Sequence, residues 1–332
     1  MANLPSFRRG QPIVEQPLGD AERAAPDVRR IEAHGITWLK LEAPTEAETA
    51  WLAEHYDFHP LDYEDVLSRR RQRPKIDEYD GYAFLVFYFP RFDKATGRLQ
   101  GAEVDVFVAE DLLITLPKEP LKPLNAMWSR CENRAEDRDA FMQRGSGYLL
   151  YEIVDALYDY CFPILDKIGF KLDSIEDSIF DEGPDDLVRD ISNVKQEIIN
   201  YRKIIKPQRP TLRLMDRSIQ RYAPQDMELY FDDIVDKNER IWDLLEGYKE
   251  VAEALEATNE AAISHRLNDI IKVLTMLSGV VLPLSLIAAF YGMNVQALPF
   301  ADDGWFSVVF PLGIMLTLAA GMVFWFRRKG WL

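Results

Sequence analysis

The sequence is poor in cysteine and has no excess of basic residues. Its two cysteines among 332 residues, Cys131 and Cys161, do not form a CxxC pair. A disulfide framework needs more of them, so we expect the water-exposed part of the chain to occupy a reducing compartment. Lys and Arg number 39 against 55 Asp and Glu, which gives a net charge of −16. Binding to nucleic acid requires basic surface, so this balance argues against a nucleic-acid partner.

Motifs of catalysis and of organic cofactors are also missing. The sequence contains no P-loop, no GxGxxG and no Cys/His cluster. His55 and His59 are four residues apart, but Pro60 follows and no third ligand is nearby. We therefore expect structural histidines, no enzyme activity and no organic cofactor. Residues 1–16 lack the apolar stretch of a signal peptide.

Two long stretches near the C-terminus contain no charged residue and no histidine. They cover residues 273–301 and 304–326. The most apolar part of the first, Val273–Tyr291, would be about 28 Å long as a helix, and the second about 34 Å. Both lengths suit the hydrocarbon core of a bilayer, so we predict two transmembrane helices. A pair of buried helices in a soluble protein is the weaker alternative.

Charges around these helices predict their orientation. Basic residues lie before the first helix (Arg266, Lys272) and directly after the second (Arg327, Arg328 and Lys329). The connecting loop holds Asp302 and Asp303 and no basic residue. The positive-inside rule then predicts a multi-pass protein of the cytoplasmic (inner) membrane with both termini in the cytoplasm.

The rest of the sequence predicts an α+β fold. Aromatic and β-branched runs at 35–41, 82–92, 103–109 and 112–116 predict strands, and Thr45 with Glu48 predicts a capped helix over Thr45–His55. Helical patterns follow at 148–180, 185–206 and 211–222, and residues 225–282 contain no proline. The predicted parts are an N-terminal arm at 1–30, an α/β domain at 31–145, a helical region with a long stalk helix at 146–270, transmembrane helices at 271–291 and 304–326, their external loop at 292–303 and a basic tail at 327–332.

The first predicted transmembrane helix has one hydroxyl-bearing face. On a helical wheel of about 100° per residue, this face lies within about 40° of Ile271. Its other members are Thr275, Ser278, Leu282, Ser285 and Ala289. Small polar residues either mediate helix packing or line a wet pore, and the wheel favours neither. A pore would need several copies in a closed ring, with Leu282 as a hydrophobic constriction.

This helix ends in the tetrapeptide Tyr291-Gly292-Met293-Asn294. Its position between the two apolar stretches resembles the hallmark of the CorA family of magnesium transporters. Further residues resemble the family: Asn268, Lys272-Val273-Leu274-Thr275, Pro283, the basic tail, His59-Pro60-Leu61, Glu64-Asp65 and Gln72-Arg73-Pro74-Lys75. The resemblance covers about residues 35–332 and is most specific in the last 65.

The resemblance implies a funnel-shaped homopentamer that conducts divalent cations as an ion channel. Gly292, Met293 and Asn294 would form its selectivity filter, in which neutral amides hold a hydrated ion by its waters. The implied pore residues are Asn268, Ile271, Leu274, Leu282, Ser285 and Ala289. Many family members have Thr at the position of Ser285 and Gly at the position of Ala289. Asp302 and Asp303 would attract cations at the outer mouth of the pore. The alternative role for Asn294 is a helix C-cap.

The resemblance also implies a regulatory ion between subunits. Asp233, which follows Tyr230-Phe231, matches an acid that binds this ion in the family, and Asp93 is a candidate partner. Bound Mg²⁺ would hold the channel closed by neutralising facing carboxylates. The alternative for Asp233 is a solvated acidic helix face. The basic run Arg69–Lys75 is expected to consist of surface and ion-pair residues.

Two other functions stay open. A zinc transporter of the same family, in a proton-linked form or not, would share these features, although zinc prefers nitrogen and sulfur ligands and the predicted pore has neither His nor Cys. We therefore expect Mg²⁺ first, with Co²⁺ and Ni²⁺ as surrogates. A membrane-anchored sensor or scaffold would keep the transmembrane helices without a wet pore.

Overall fold

A computed structural model of the chain describes residues 25–68, 70–93, 95–179, 184–223, 227–293 and 304–331. Its contacts divide the chain into two units. Unit 1 consists of Met1–Gly169 and Gln196–Tyr248, and unit 2 of Phe170–Lys195 and Lys249–Leu332.

Unit 1 contains a six-stranded mixed sheet. Its strands are β1 (Arg29–Ala33), β2 (Ile36–Lys40), β3 (Lys75–Glu78), β4 (Tyr82–Asp93), β5 (Arg98–Ala109) and β6 (Leu112–Pro117). They lie in the order β1-β2-β6-β5-β4-β3. Strands β2 and β6 are parallel, and the other neighbours are antiparallel. Strand β1 begins inside the segment predicted as an arm, because Ile31 is buried opposite Trp38 of β2.

The long hairpin β4–β5 forms the centre of the core. Every residue of β4 from Tyr82 to Pro90 is buried, and the side chains include Phe84, Phe87 and Phe89. Such a continuous apolar run is typical of a strand that is covered on both faces. The sequence predicted β4 and β6 nearly to their ends. It predicted β5 five residues too short at its start and did not predict β3.

Helices lie between and after the strands along the chain. They are α1 (Glu46–His55), α2 (Pro60–Leu67), α3 (Lys122–Asn133), α4 (Ala135–Met142), α5 (Ser146–Asp159), α6 (Cys161–Ser178), α7 (Pro184–Ile205) and α8 (Arg209–Ile219). The predicted cap of α1 is confirmed, since the Thr45 hydroxyl accepts from Ala47 N at 3.2 Å and Glu48 Oε2 accepts from Thr45 N at 2.9 Å. The helical stretch predicted from 148 to 180 breaks at Tyr160, between α5 and α6.

The last two helices are α9 (Glu228–Tyr291) and α10 (Phe306–Arg328). Helix α9 has 64 residues. The prediction of one long helix rested on the proline-free run 225–282, and the helix in fact continues through Pro283. Both helices are long and apolar enough to cross a membrane, and none of the most apolar 18-residue window of either is buried. The predicted α+β class, with long helices and a C-terminal apolar helix, is confirmed.

Candidate functional site

The predicted pore residues lie on an open face of the last part of α9. Fractional exposure is 57% for Ile271, 60% for Leu274 and 68% for Leu282. Asn268, Thr275, Ser285 and Ala289 are also exposed, whereas Ser278 is half-buried. The hydroxyl-bearing face therefore points away from the rest of unit 2 along most of its length.

The opposite side of the same helix is partly covered. It holds Met276, Val280, Pro283 and Ile287, all half-buried. At the edge of this side the ring of Phe326, from α10, approaches Gly279 so closely that a Cβ there would lie 3.3 Å from its Cζ. Helix α10 thus contacts α9 at Gly279, between the half-buried side and the hydroxyl-bearing face.

The hydroxyls on the open face have unused hydrogen-bonding capacity. Thr275 Oγ1 donates to the carbonyl oxygen of Ile271 at 2.7 Å, which leaves its oxygen lone pairs for water. Within the described part of α9, the hydroxyls of Ser278 and Ser285 have no protein partner. These groups can bind water or the water shell of an ion, and no charge on this face would hold the ion tightly.

The predicted filter begins at the end of α9. The helix closes with a hydrogen bond from Gly292 N to the carbonyl oxygen of Ala288 at 2.9 Å. Met293 follows and is 56% exposed. Asn294, Asp302 and Asp303 lie outside the described residues, so their roles as filter and cation-attracting residues stay predictions.

The predicted regulatory residue Asp233 lies beside a lysine-centred acid cluster. Lys237 Nζ is 2.5 Å from Asp155 Oδ1, 2.7 Å from Asp159 Oδ1 and 3.5 Å from Asp233 Oδ2. Burial lowers the pKa of Lys237, but these hydrogen bonds and charges raise it overall. Burial also raises the pKa of Asp155. Asp233 itself is 53% exposed, so its carboxylate faces water and can meet a second chain.

Sequence reasoning missed Asp155, Asp159 and Lys237. Lys237 is four residues from Asp233 on the same helix, a spacing that could have indicated the contact. The two α5 acids are separated from Lys237 by 82 and 78 residues, and no local pattern reports such contacts.

Asp93 has a structural role in the β4–β5 hairpin. Its carboxylate accepts hydrogen bonds from Thr96 Oγ1 at 2.7 Å, from Ala95 N at 3.1 Å and from Gln100 Nε2 at 3.2 Å. The bond from Thr96 lowers the pKa of Asp93 most. Among the described residues, no three His, Cys, Asp or Glu side chains form a group that could hold a metal within one chain. The pairing of Asp233 with Asp93 of a second copy around a regulatory ion stays a prediction.

Comparison with known proteins covers almost the whole chain. The family model for "CorA-like Mg2+ transporter protein" matches residues 33–328. The chain is 30% identical to a putative metal ion transporter, YfjQ, of Bacillus subtilis over 92% of its length and 93% of the relative. It is 27% identical to the cobalt/magnesium transport protein CorA of Thermotoga maritima, over 89% of this chain and 83% of that one.

A solved structure and a more distant relative complete the comparison. The complete structure of the CorA magnesium transporter from Methanocaldococcus jannaschii superposes with a TM-score of 0.78 at 19% identity, over 91% of this chain and 93% of that one. This likeness shows the fold. The zinc transport protein ZntB of Pectobacterium atrosepticum is 19% identical over 89% of this chain and 88% of the relative.

Proposed function

The chain belongs to the family of CorA-like Mg²⁺ transporter proteins, and we propose that it conducts Mg²⁺, with Co²⁺ and Ni²⁺ as further substrates, through a pore built by several copies. It is a transporter of divalent cations and not an enzyme. The observation that carries the proposed pore is the open hydroxyl-bearing face of α9, which lies opposite the half-buried side that holds Met276, Val280 and Ile287.

One α9–α10 pair cannot enclose a water-filled path. Several copies in a closed ring can do so when each contributes the same helix face. That face carries Thr275, Ser278 and Ser285 as wetted positions and Leu282 as a hydrophobic constriction. By the family resemblance the ring is a pentamer, and Asn294 of each copy forms the filter at its outer end.

The membrane position follows from the two apolar helices. They fit a hairpin across the bilayer, with Arg327, Arg328 and Lys329 on the cytoplasmic side. A doubly charged ion gains about 4.6 kcal/mol per 100 mV of inside-negative potential, so passive entry needs no pump chemistry. The two helices also contain no Asp, Glu or His between 273 and 293 or between 304 and 326 to relay protons.

Zinc transport is the second candidate, and the distant zinc transport relative keeps it open. The predicted pore offers only hydroxyl, amide and apolar side chains, which favour a hard, hydrated ion. Flux of Mg²⁺, Co²⁺ and Zn²⁺ into proteoliposomes, with and without a pH gradient, separates the two candidates. We expect Mg²⁺ flux that is independent of the gradient. Zinc flux that needs the gradient, with no Mg²⁺ flux, would contradict the magnesium assignment, and no flux of any ion would leave a membrane-anchored scaffold.

We further propose that cytoplasmic Mg²⁺ closes the channel through Asp233. The exposed Asp233 carboxylate joins Asp155, Asp159 and Lys237 in a cluster of three acids and one lysine, so a neighbouring chain's acids would be repelled without a divalent cation. Asp233→Lys should weaken inhibition of flux by internal Mg²⁺. Asp232→Lys, at the adjacent position, is the matched control for the charge change. Unchanged inhibition in Asp233→Lys would remove Asp233 from the switch.

A further inference from the structure

Unit 1 contains a cleft whose charge is opposite to that of the whole chain. Its volume is about 480 Å³, and it lies between the segment before β3, the start of β5 and the end of α7. Four basic residues line it, namely Arg71, Arg73, Arg98 and Lys203, and no acidic residue does. All four are exposed. In a chain with 55 acidic and 39 basic residues, this segregation creates a local positive potential.

Within the part of the chain that the structure describes, these four cations have no acidic partner. Arg71 donates one hydrogen bond, to the carbonyl oxygen of Gly101 at 3.3 Å. None of the four forms a salt bridge with any described residue. The prediction that the run Arg69–Lys75 makes ion pairs holds for Lys75, which pairs with Asp65 at 2.7 Å and also with Asp77. Arg71 and Arg73 are surface residues, as the same prediction allows, and their charges remain available to a ligand.

The floor of the cleft is apolar and fixed. Leu99 and Ile204 are buried there. Gly101 lies so close to Ile204 that a Cβ would be 3.2 Å from its Cγ1. The amide of Asn200 donates to the carbonyl oxygen of Leu99 at 3.3 Å, which ties α7 to β5. Tyr88 is buried and donates its hydroxyl to Glu103 at 2.5 Å, so it offers no open ring for stacking a base.

We propose that this cleft binds a small polyphosphate anion through its charged groups. Its volume falls in the range of small-molecule sites. Guanidinium groups bind phosphate oxygens bidentately, and a lysine adds a point charge. With no exposed aromatic ring on the floor, recognition rests on the phosphates and not on a base. The binding does not depend on the transport proposal.

Magnesium would tune this site indirectly. Mg²⁺ coordinates phosphate oxygens, so a polyphosphate in its magnesium complex carries two fewer negative charges than the free anion. The cleft therefore binds the free anion more tightly than the complex, and its occupancy rises when cytoplasmic Mg²⁺ falls.

Titration calorimetry of the full chain in detergent tests the site, with inorganic triphosphate as the probe. We expect one triphosphate per chain, ATP binding within about threefold of it, and AMP and orthophosphate binding at least tenfold more weakly. Excess Mg²⁺ should weaken triphosphate binding. Lys203→Gln should weaken it about tenfold, the effect of one charge-assisted contact, and Arg98→Gln combined with Lys203→Gln should abolish it.

The matched control is Lys122→Gln, which makes the same charge change at an exposed lysine outside the cleft. It should leave triphosphate affinity unchanged, and every variant should keep the wild-type unfolding midpoint. Wild-type affinity in the double variant, or equal weakening by Lys122→Gln, would overturn the proposal. Binding to vesicles of anionic lipid without binding to soluble triphosphate would also overturn it.

Discussion

The sheet of unit 1 and the transmembrane part of unit 2 are both rich in apolar residues, but they place them oppositely. In β4 every residue from Tyr82 to Pro90 is buried. In the most apolar windows of α9 and α10 no residue is fully buried. The sheet shields its apolar side chains from water within unit 1. The apolar side chains of α9 and α10 need lipid or further copies of the chain to cover them.

Charges follow the same division. Unit 1 buries charged groups and gives most of them partners, as when Lys40, 2% exposed, contacts Asn125 Oδ1 at 2.6 Å and Glu42 at 2.9 Å. Asp62, fully buried, accepts from Tyr79 and Tyr82 at 2.9 and 2.8 Å. The apolar stretches at 273–293 and 304–326 contain no charge. A membrane offers no water to an unpaired charge, so the polar side chains that remain there are neutral, and the hydroxyls of α9 share one face.

The largest expected effect tests whether selectivity resides in the membrane region. Asn294→Ala should abolish selective Mg²⁺ uptake while the oligomer still assembles, because the ring of amides is lost. A flux assay measures the selectivity of uptake, and size-exclusion chromatography measures the assembly of the oligomer. Asn133→Ala, an exposed asparagine of unit 1, is the control and should transport like the wild type. Wild-type selectivity in Asn294→Ala would rule out the filter role.

The second effect tests the difference in burial between the two regions. Phe87 is 1% exposed in β4, and Phe324 is 68% exposed in α10. Phe87→Ala should lower the free energy of unfolding of unit 1 by about 3–5 kcal/mol, the usual cost of a large core truncation. Phe324→Ala makes the same chemical change and should have little effect on that transition. Chemical denaturation of the full chain in detergent measures both, and equal effects would contradict the assignment of the two environments.

A third and smaller effect concerns Asp105, the buried acid that unit 1 satisfies least. Neither of its carboxylate oxygens has a hydrogen-bond partner among the described residues, and Lys118 Nζ is 3.7 Å away. Burial raises the pKa of Asp105 well above its ordinary value of 3.8. The folded chain then holds a proton that the unfolded chain releases, so stability falls as pH rises above about 3.8.

Asp105→Asn removes this ionisation and keeps the shape of the side chain. It should raise the free energy of unfolding at pH 8 by about 1–3 kcal/mol, because the ionised aspartate is penalised by burial, and by less at pH 5. Denaturation at the two pH values provides the measurement. Asp80→Asn, at an exposed position between β3 and β4, is the control. A stability that falls equally at both pH values would contradict this account.

The smallest effect compares hydroxyls at a water-exposed helix end and inside a membrane helix. Thr45→Ala removes the cap of α1 and should cost about 1 kcal/mol of stability in unit 1. Thr317→Ala removes a hydroxyl that only donates to the carbonyl oxygen of Gly313, at 2.8 Å within α10. It should leave the same transition unchanged. A similar loss of stability in both variants would show that the hydrogen bond of the Thr45 cap does not account for the effect.

The regions also differ in what sequence alone could predict. The pattern of α9 and α10 is local, so uncharged length and helical periodicity located both helices and the hydroxyl-bearing face. Strands β4 and β6 were predicted because β-branched and aromatic runs mark them. Strand β3 (Lys75–Glu78) was missed because its four polar-rich residues carry no such pattern, and its pairing with β4 is a contact between strands that the pattern does not report.

Helices α3 and α4 were missed for a similar reason, since neither starts with a side-chain cap. The acid cluster around Lys237 and the basic cleft depend on contacts between distant segments, which composition and spacing do not report. The wheel left packing and pore lining equally open for the hydroxyl-bearing face. The half-burial of Met276, Val280 and Ile287 adds what the wheel lacked, because it shows which side of α9 is already partly covered.

The central claim is that this open face of α9 converges on a shared axis, and disulfide crosslinking between copies tests it most directly. Both native cysteines are buried, so we expect little crosslinking through them. Leu282→Cys places a thiol on the open face, and Val280→Cys places one on the half-buried side. Oxidation in membranes should link chains carrying Leu282→Cys and should not link those carrying Val280→Cys. Crosslinking through position 280 with none through position 282 would contradict the account.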